Sequence, residues 1–165
     1  MTSETASKGS RDVWVAAAYQ ALIEQGIDAV RIAPLSKRLK LSRTSFYWFF
    51  EDRELLLQAL LDLWKKNTDS LTGRASAYAD GIVEAVLNIN DCWIDPSLFD
   101  SQLEFAVRSW GLQSPDVAQL VEAADAARLD ALKQMFLRYG YDPAAADVRS
   151  RTIYLVQIGY ISMNT

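Results

Sequence analysis

A chain of 165 residues, half of them hydrophobic and with few Gly and Pro, can bury a sizeable core, which excludes a disordered segment. It contains no histidine, which removes the commonest general base and metal ligand at once, and its net charge of −4 excludes a generic polyanion binder. No apolar run approaches the roughly 20 residues that cross a bilayer, and the polar residues 1–11 carry no signal-peptide pattern, so a cytoplasmic location without membrane contact is expected.

Helical periodicity dominates from the start. Ser10 is placed to cap a first helix with Trp14, Ala17, Ala18, Ala21 and Leu22 on one face, and Gly26 to end it. Pro34 suggests the start of a short helix carrying Leu35 and Leu39. Leu41 lies in a turn, and Ser42 is placed to cap a second short helix reaching about Trp48. Asp52 is an N-cap candidate for a long helix ending near Leu71, with Gly73 as its stop. A helix over about 75–91 follows. Three more are announced by a capping residue and a proline: Asp95-Pro96, Ser114-Pro115 and Asp142-Pro143. The expected fold is all-α, with a helix-turn-helix domain over 1–55, its tail 1–9 flexible, and a helical domain over 56–165. The single cysteine, Cys92, sits among Ile89, Trp93 and Ile94 and reads as a small core residue.

Charge is distributed unevenly. Residues 1–55 carry eight Lys/Arg against seven Asp/Glu, whereas residues 56–165 carry nine against fourteen. Residues 29–50 hold Arg31, Lys37, Arg38, Lys40 and Arg43 with no acid among them. Such a focused patch inside an acidic protein suits phosphate contact or, equally, an ordinary solvated face. The same stretch has the spacing of a helix-turn-helix: Leu35, Leu39, Leu41 and Phe46 close a small core that Phe50 extends towards Trp14. In that arrangement the second helix enters the major groove, so Ser42, Arg43, Thr44, Ser45, Tyr47 and Trp48 are the candidate DNA contacts.

These residues carry a resemblance. Leu35-Ser36, Leu39-Lys40-Leu41-Ser42, Phe46-Tyr47, Phe49-Phe50 and Arg53-Glu54 before Leu55, Leu56 and Leu57 resemble the TetR-family DNA-binding domain over about residues 10–65. The resemblance implies that Ser42 caps the recognition helix, that Arg43, Thr44 and Ser45 face DNA, and that Tyr47 reaches a phosphate. It also implies that Arg53, where the family usually has a lysine, donates to the DNA backbone. Arg31 and Lys40 complete the expected DNA-binding set. Two positions depart from the family pattern: Lys40 replaces the turn glycine and Phe49 the usual histidine.

For the second domain the resemblance implies an effector pocket. Trp64, Tyr78, Trp93, Phe99, Phe105 and Trp110 are its candidate lining, with ordinary core as the alternative. Glu104 and Arg108, one helical turn apart, are either a semi-buried ion pair or polar anchors for a ligand. The resemblance also implies that the last two long helices form a four-helix bundle with a second copy. The candidate residues are Arg128, Leu132, Tyr139, Val148, Thr152, Leu155, Val156 and Gly159, and the apolar run Ile153 to Ile161 exceeds what one buried face needs. Whether a further helix follows Thr165 is left open.

The expected function is therefore ligand-responsive transcriptional regulation, with repression of a pseudo-palindromic operator by a homodimer and an unidentified small-molecule effector. A helical interaction module without DNA binding is the alternative. No catalytic residue, metal or cofactor is expected, since no nucleophile–base pair or phosphate-cradling loop is present.

Overall fold

The structure is a computed structural model and describes residues 9–163. The expected flexible tail, apart from Gly9, lies outside the described residues. Those residues form eight α-helices and one 3-10 turn, without a strand, so the chain is all-α as its periodicity predicts. It divides into two compact units, one running to Leu63 and the other starting at Trp64. The edge expected at 55/56 falls inside a continuous helix.

In the first unit, α1 spans Arg11–Gln25. Ser10 Oγ accepts from the Val13 amide at 3.3 Å, and Gly26 ends the helix at φ +81°, a left-handed conformation that a side chain would strain. The 3-10 turn Ile27–Ala29 leads to α2 (Ile32–Leu39) and then α3 (Arg43–Phe46). α2 starts two residues before Pro34, which sits in the first turn, where the helix needs no amide from it. α4 spans Arg53–Ser76, capped by Asp52, whose Oδ1 accepts from the Leu55 amide at 2.9 Å. Trp14 meets Phe46 edge-on at 5.2 Å between ring centroids, and Phe46 stacks on Phe50 at 5.4 Å. These rings, with Leu22, Val30 and Leu35, are almost fully buried. Leu39 and Leu41, expected in that core, are only half-buried.

The second unit holds α5 (Ile82–Ile94), α6 (Ser101–Gly111), α7 (Pro115–Arg138) and α8 (Pro143–Met163). Two boundaries differ from the sequence reading. Gly73 lies within α4, because one glycine costs a helix only about 1 kcal/mol and fully buried Leu71 and Ala75 flank it. α5 therefore begins at Ile82 and not near Ala75. Asp95-Pro96 opens a turn and not a helix: Asp95 Oδ1 accepts from the Ser97 amide at 2.9 Å, and α6 takes Asp100 as its cap through the Leu103 amide at 2.9 Å. An Asp-Pro pair suits either structure. Asp142-Pro143 does start α8, with Asp142 Oδ1 accepting from the amides of Ala144 and Ala145 at 3.1 and 3.0 Å. The main core joins Leu71, Ile89, Leu132, Met135, Phe136 and Tyr154, and a smaller one joins Cys92, Phe99 and Ile161. Burial pushes the Cys92 thiol pKa up, as befits an inert core residue. No helix of the described residues is long and apolar enough to cross a membrane.

Candidate nucleic-acid interface

The connection between α2 and α3 is a tight helix stop. Lys40 takes φ 56° and ψ 36°, and it is the one non-glycine residue at positive φ among those described. Its amide donates to Lys37 O at 3.2 Å and that of Leu41 to Ser36 O at 3.0 Å, the paired hydrogen bonds of a Schellman motif. The strain of a side chain there is about 1 kcal/mol. Ser42 then caps α3, its Oγ accepting from the Ser45 amide at 3.1 Å.

That geometry sorts the candidate contacts. Arg43 and Thr44 are exposed, Tyr47 is 57% and Trp48 73% exposed, and Lys40 and Ser42 also face solvent. Phe46, between them, is fully buried against Trp14. Val13, Leu39, Leu41, Ser45 and Trp48 line an open groove beside Lys40 and Ser42. Ser45 departs from its expected place. It is buried, and its hydroxyl donates to Ser42 O at 2.7 Å. Three residues after the cap, its side chain points back along the first turn and not outward.

The basic patch is smaller than its composition implies. Arg38 forms a two-pronged pair with Glu24 at 2.9 and 3.0 Å, and these hydrogen bonds hold the Glu24 carboxyl below its ordinary range. Arg31 is exposed but donates Nε to Asp28 O at 2.7 Å. Lys37, Lys40 and Arg43 are exposed and form no ion pair among the described residues. Arg53, the expected phosphate donor, donates Nε to Val30 O at 2.6 Å and Nη2 to Ile27 O at 3.4 Å.

In the second unit the expected pocket residues separate. Glu104 and Arg108 do pair, at 2.9 Å, but within a larger buried network. Arg128 donates Nη1 and Nη2 to the two Glu104 oxygens at 2.8 and 3.0 Å, and both residues are fully buried. Trp64 Nε1 and Asn67 Nδ2 donate to Glu104 Oε2 at 2.7 and 3.2 Å. Arg108 reaches Asp125 with both terminal nitrogens. The Tyr154 hydroxyl donates to Asp125 at 2.5 Å and accepts from Arg108 and Arg128 at 3.0 and 3.1 Å. Thr68 Oγ1 accepts from Arg128 Nε at 3.0 Å. The Arg128 guanidinium also lies over the rings of Trp64 and Phe99, at 5.7 and 5.3 Å.

Two guanidiniums and two carboxylates make the network neutral, which is what allows charges to stay buried. Burial pushes the Glu104 carboxyl up, but the hydrogen bonds and charges of Arg128 and Arg108 outweigh it, and the net shift is downward. Burial pushes the Tyr154 phenol up.

Other expected lining residues fall elsewhere. Trp110 is buried, and Trp93 and Phe105 are half-buried around the Cys92 cluster. Tyr78 is no lining residue: it is 86% exposed, its hydroxyl on Asp80 at 3.0 Å, because the loop before α5 replaces the helix expected there.

The expected dimer residues also divide. Arg128 and Leu132 are fully buried within their own chain, and the Tyr139 hydroxyl donates to Ala79 O at 2.8 Å. Arg128 and Leu132 therefore face this chain's interior from α7, while Tyr139, the residue after that helix, is half-buried. Val148, Thr152, Leu155, Val156 and Gly159 are all exposed along one face of α8. Tyr160 and Met163, which the sequence reading passed over, are exposed with them. The inward face of α8 carries Ser150, Tyr154, Gln157 and Ile161.

The sequence reading also missed Asn67, Thr68, Asp125 and Tyr154. A signal for the network did exist: Arg128 interrupts the apolar stripe of Val117, Ala124, Leu132 and Met135 at helical spacing. A charge in that position needs a buried partner.

A sequence model described as bacterial regulatory proteins, tetR family, matches residues 15–60. No curated protein matches the chain. Among solved structures, Salmonella enterica GusR is similar in fold, with a TM-score of 0.69 at 17% identity over 97% of this chain and 84% of that one.

Proposed function

We propose that the chain, whose residues 15–60 match the model of bacterial regulatory proteins of the tetR family, is a homodimeric repressor released from its operator by a small-molecule effector. The observation that carries the DNA-binding part is the α2–turn–α3 geometry. A Ser42-capped helix holds Arg43, Thr44, Tyr47 and Trp48 outward while Phe46 is locked against Trp14 and Phe50. Exposed Arg43 and Lys40 carry charge suited to phosphates, and exposed Thr44 has a hydroxyl suited to base edges. Tyr47 and Trp48 flank them.

Dimerisation is supported by the outward face of α8. Val148, Leu155 and Val156 are each about 60% or more exposed, and with Gly159 they repeat at helical spacing, the pattern of a helix seated on another helix. Two copies would present two recognition helices to a pseudo-palindromic site about one DNA turn apart. The effector reading and the repressing sign follow the family resemblance, and a cytoplasmic location goes with them.

The test is binding of the full chain to duplex DNA from around its own gene, measured against salt concentration and against scrambled duplex. Salt-dependent, sequence-preferring binding is expected. Equal affinity for both duplexes, or none, sinks the operator reading and favours an interaction module.

A further inference from the structure

α4 begins at Arg53, and the guanidinium of that residue is turned towards its own chain. Nε donates to Val30 O at 2.6 Å, Nη2 to Ile27 O at 3.4 Å and Nη1 to Glu54 Oε1 at 3.3 Å. The side chain is about one-third exposed, 34%, whereas Val30 is fully buried and Ile27 nearly so. The two carbonyls belong to the 3-10 turn Ile27–Ala29 and the residue after it, and α2 starts two residues further on, at Ile32. One side chain therefore joins the first residue of α4 to the entry of α2, across 23 residues of sequence.

The chain has a second connection between these parts, through α3 and residues 47–52. Leu56, Leu57 and Leu60 near the start of α4 are buried, so apolar packing also holds the helix, but such packing is non-directional. Asp52 fixes the first turn of α4 internally, through the Leu55 amide at 2.9 Å, but does not tie it to α2. Arg53 does. A guanidinium is a planar fork with donors in fixed directions, so two carbonyls on one fork set an angle as well as a distance. A lysine has one point of attachment and sets only the distance.

We propose that Arg53 is a positioning residue for DNA recognition: it holds the α2–turn–α3 reading head at a set angle to the start of α4 through the carbonyls of Ile27 and Val30, and its role is this tie and not a phosphate contact. The inference rests on the DNA-binding reading above. The shortest hydrogen bond of Arg53 serves its own backbone, whereas Arg43 and Lys40 stand exposed on the reading head itself.

The two roles differ in salt dependence. Removing a cation that neutralises one phosphate lowers the slope of log affinity against log salt by about 0.9, whereas a misplaced reading head lowers affinity at every salt concentration alike. The experiment uses the full chain and a duplex selected from a random pool by the wild-type protein. Affinity is measured from low to high salt for wild type, Arg53→Ala, Arg53→Lys and Arg43→Ala, with circular dichroism giving the folded fraction of each. Arg53→Ala is expected to bind roughly tenfold more weakly, as for loss of a charge-assisted hydrogen bond, with a line parallel to the wild type. Arg53→Lys is expected to recover part of that loss with the same slope, and Arg43→Ala to flatten the slope.

A flattened slope for Arg53→Ala, with full affinity in Arg53→Lys, overturns the proposal in favour of a phosphate contact. Wild-type affinity per folded Arg53→Ala molecule overturns it in favour of a merely structural role. If Arg53→Ala does not fold, Arg53→Lys decides alone: weaker binding on a parallel line supports the tie, and wild-type binding refutes it. A wild-type protein that selects no duplex sinks the DNA-binding reading and this inference with it, an outcome plainly distinct from any change among variants.

Discussion

The two units treat polar groups in opposite ways. In the first, the interior is aromatic and apolar, with Trp14, Phe46 and Phe50 at its centre, while Lys40, Arg43 and Thr44 face solvent. In the second, the fully buried side chains include Glu104 and Arg128, tied to Arg108, Asp125 and Tyr154. An exposed cation stays hydrated and is available to a phosphate at little cost. A buried one must be matched on the spot, and once matched it is not available to an outside partner. The difference is that charge stays at the surface in the first unit, whereas in the second it is matched inside the packing.

The largest test of that contrast is Glu104→Ala. Removing one partner strands Arg128 without its carboxylate, and the expected cost is about 3–5 kcal/mol in urea unfolding. The double variant Glu104→Leu with Arg128→Met, which removes both charges, should cost far less. Similar losses in single and double variants would show that the network matters for shape and not for charge.

The same residue gives a pH signature. In the folded chain the Glu104 carboxyl titrates below its ordinary value of 4.5, since Arg128 and Arg108 outweigh burial. The unfolded chain therefore binds that proton more tightly. The stability from this shift is full above about pH 4.5 and is lost as the pH falls below it. Acid unfolding monitored by tryptophan fluorescence should show the loss, and Glu104→Gln should flatten that part of the curve.

A smaller effect is expected on the outer face of α8. Leu155→Glu places a charge within the exposed stripe and should weaken self-association by about 2 kcal/mol, read by sedimentation. An unchanged dimer would move the interface elsewhere. Tyr47→Ala should weaken DNA binding roughly tenfold, or about 1.4 kcal/mol, on preferred and scrambled sequence alike, whereas Thr44→Ala should change sequence preference. A uniform loss for both would remove Thr44 from base reading.

The smallest effect has two signs. Lys40→Gly relieves the positive φ of 56° and should stabilise the fold by up to about 1 kcal/mol, while DNA affinity falls with the removed charge. Thermal melting and a binding titration on one preparation check both. Destabilisation would mean that the Lys40 stem contributes more packing than strain.

How much of this was legible depended on the range of the interaction concerned. Ser10, Ser42, Asp52 and Asp142 were readable as caps because each bonds an amide two or three residues away. The turn at Lys40 was readable for the same reason. Ser45 was not, because its exposure depends on which way the short α3 faces the core. Gly73 and Asp95-Pro96 misled because each local signal is compatible with two structures, and the choice was made by the burial of Leu71 and Ala75 and by the cap at Asp100. Among the site residues, the outward face of α8 was legible as an excess of apolar positions. The inward placement of Arg128 and the solvent placement of Tyr78 were not read correctly.

That the chain is helical, where most of its helices start, and that about residues 10–65 resemble the TetR-family DNA-binding domain can all be read from the amino-acid order. These follow from periodicity, capping and spacing, which act within a few residues along the chain. Which charges are buried together is settled by how the helices pack. The packing of α6, α7 and α8 joins Glu104 to Arg128, and both through Tyr154 and Asp125. Folding also brings the Arg53 guanidinium onto the carbonyls of Val30 and Ile27. A side chain's partner is set by what folding brings within about 3 Å of it, and over 23 residues or more of chain no local pattern records that.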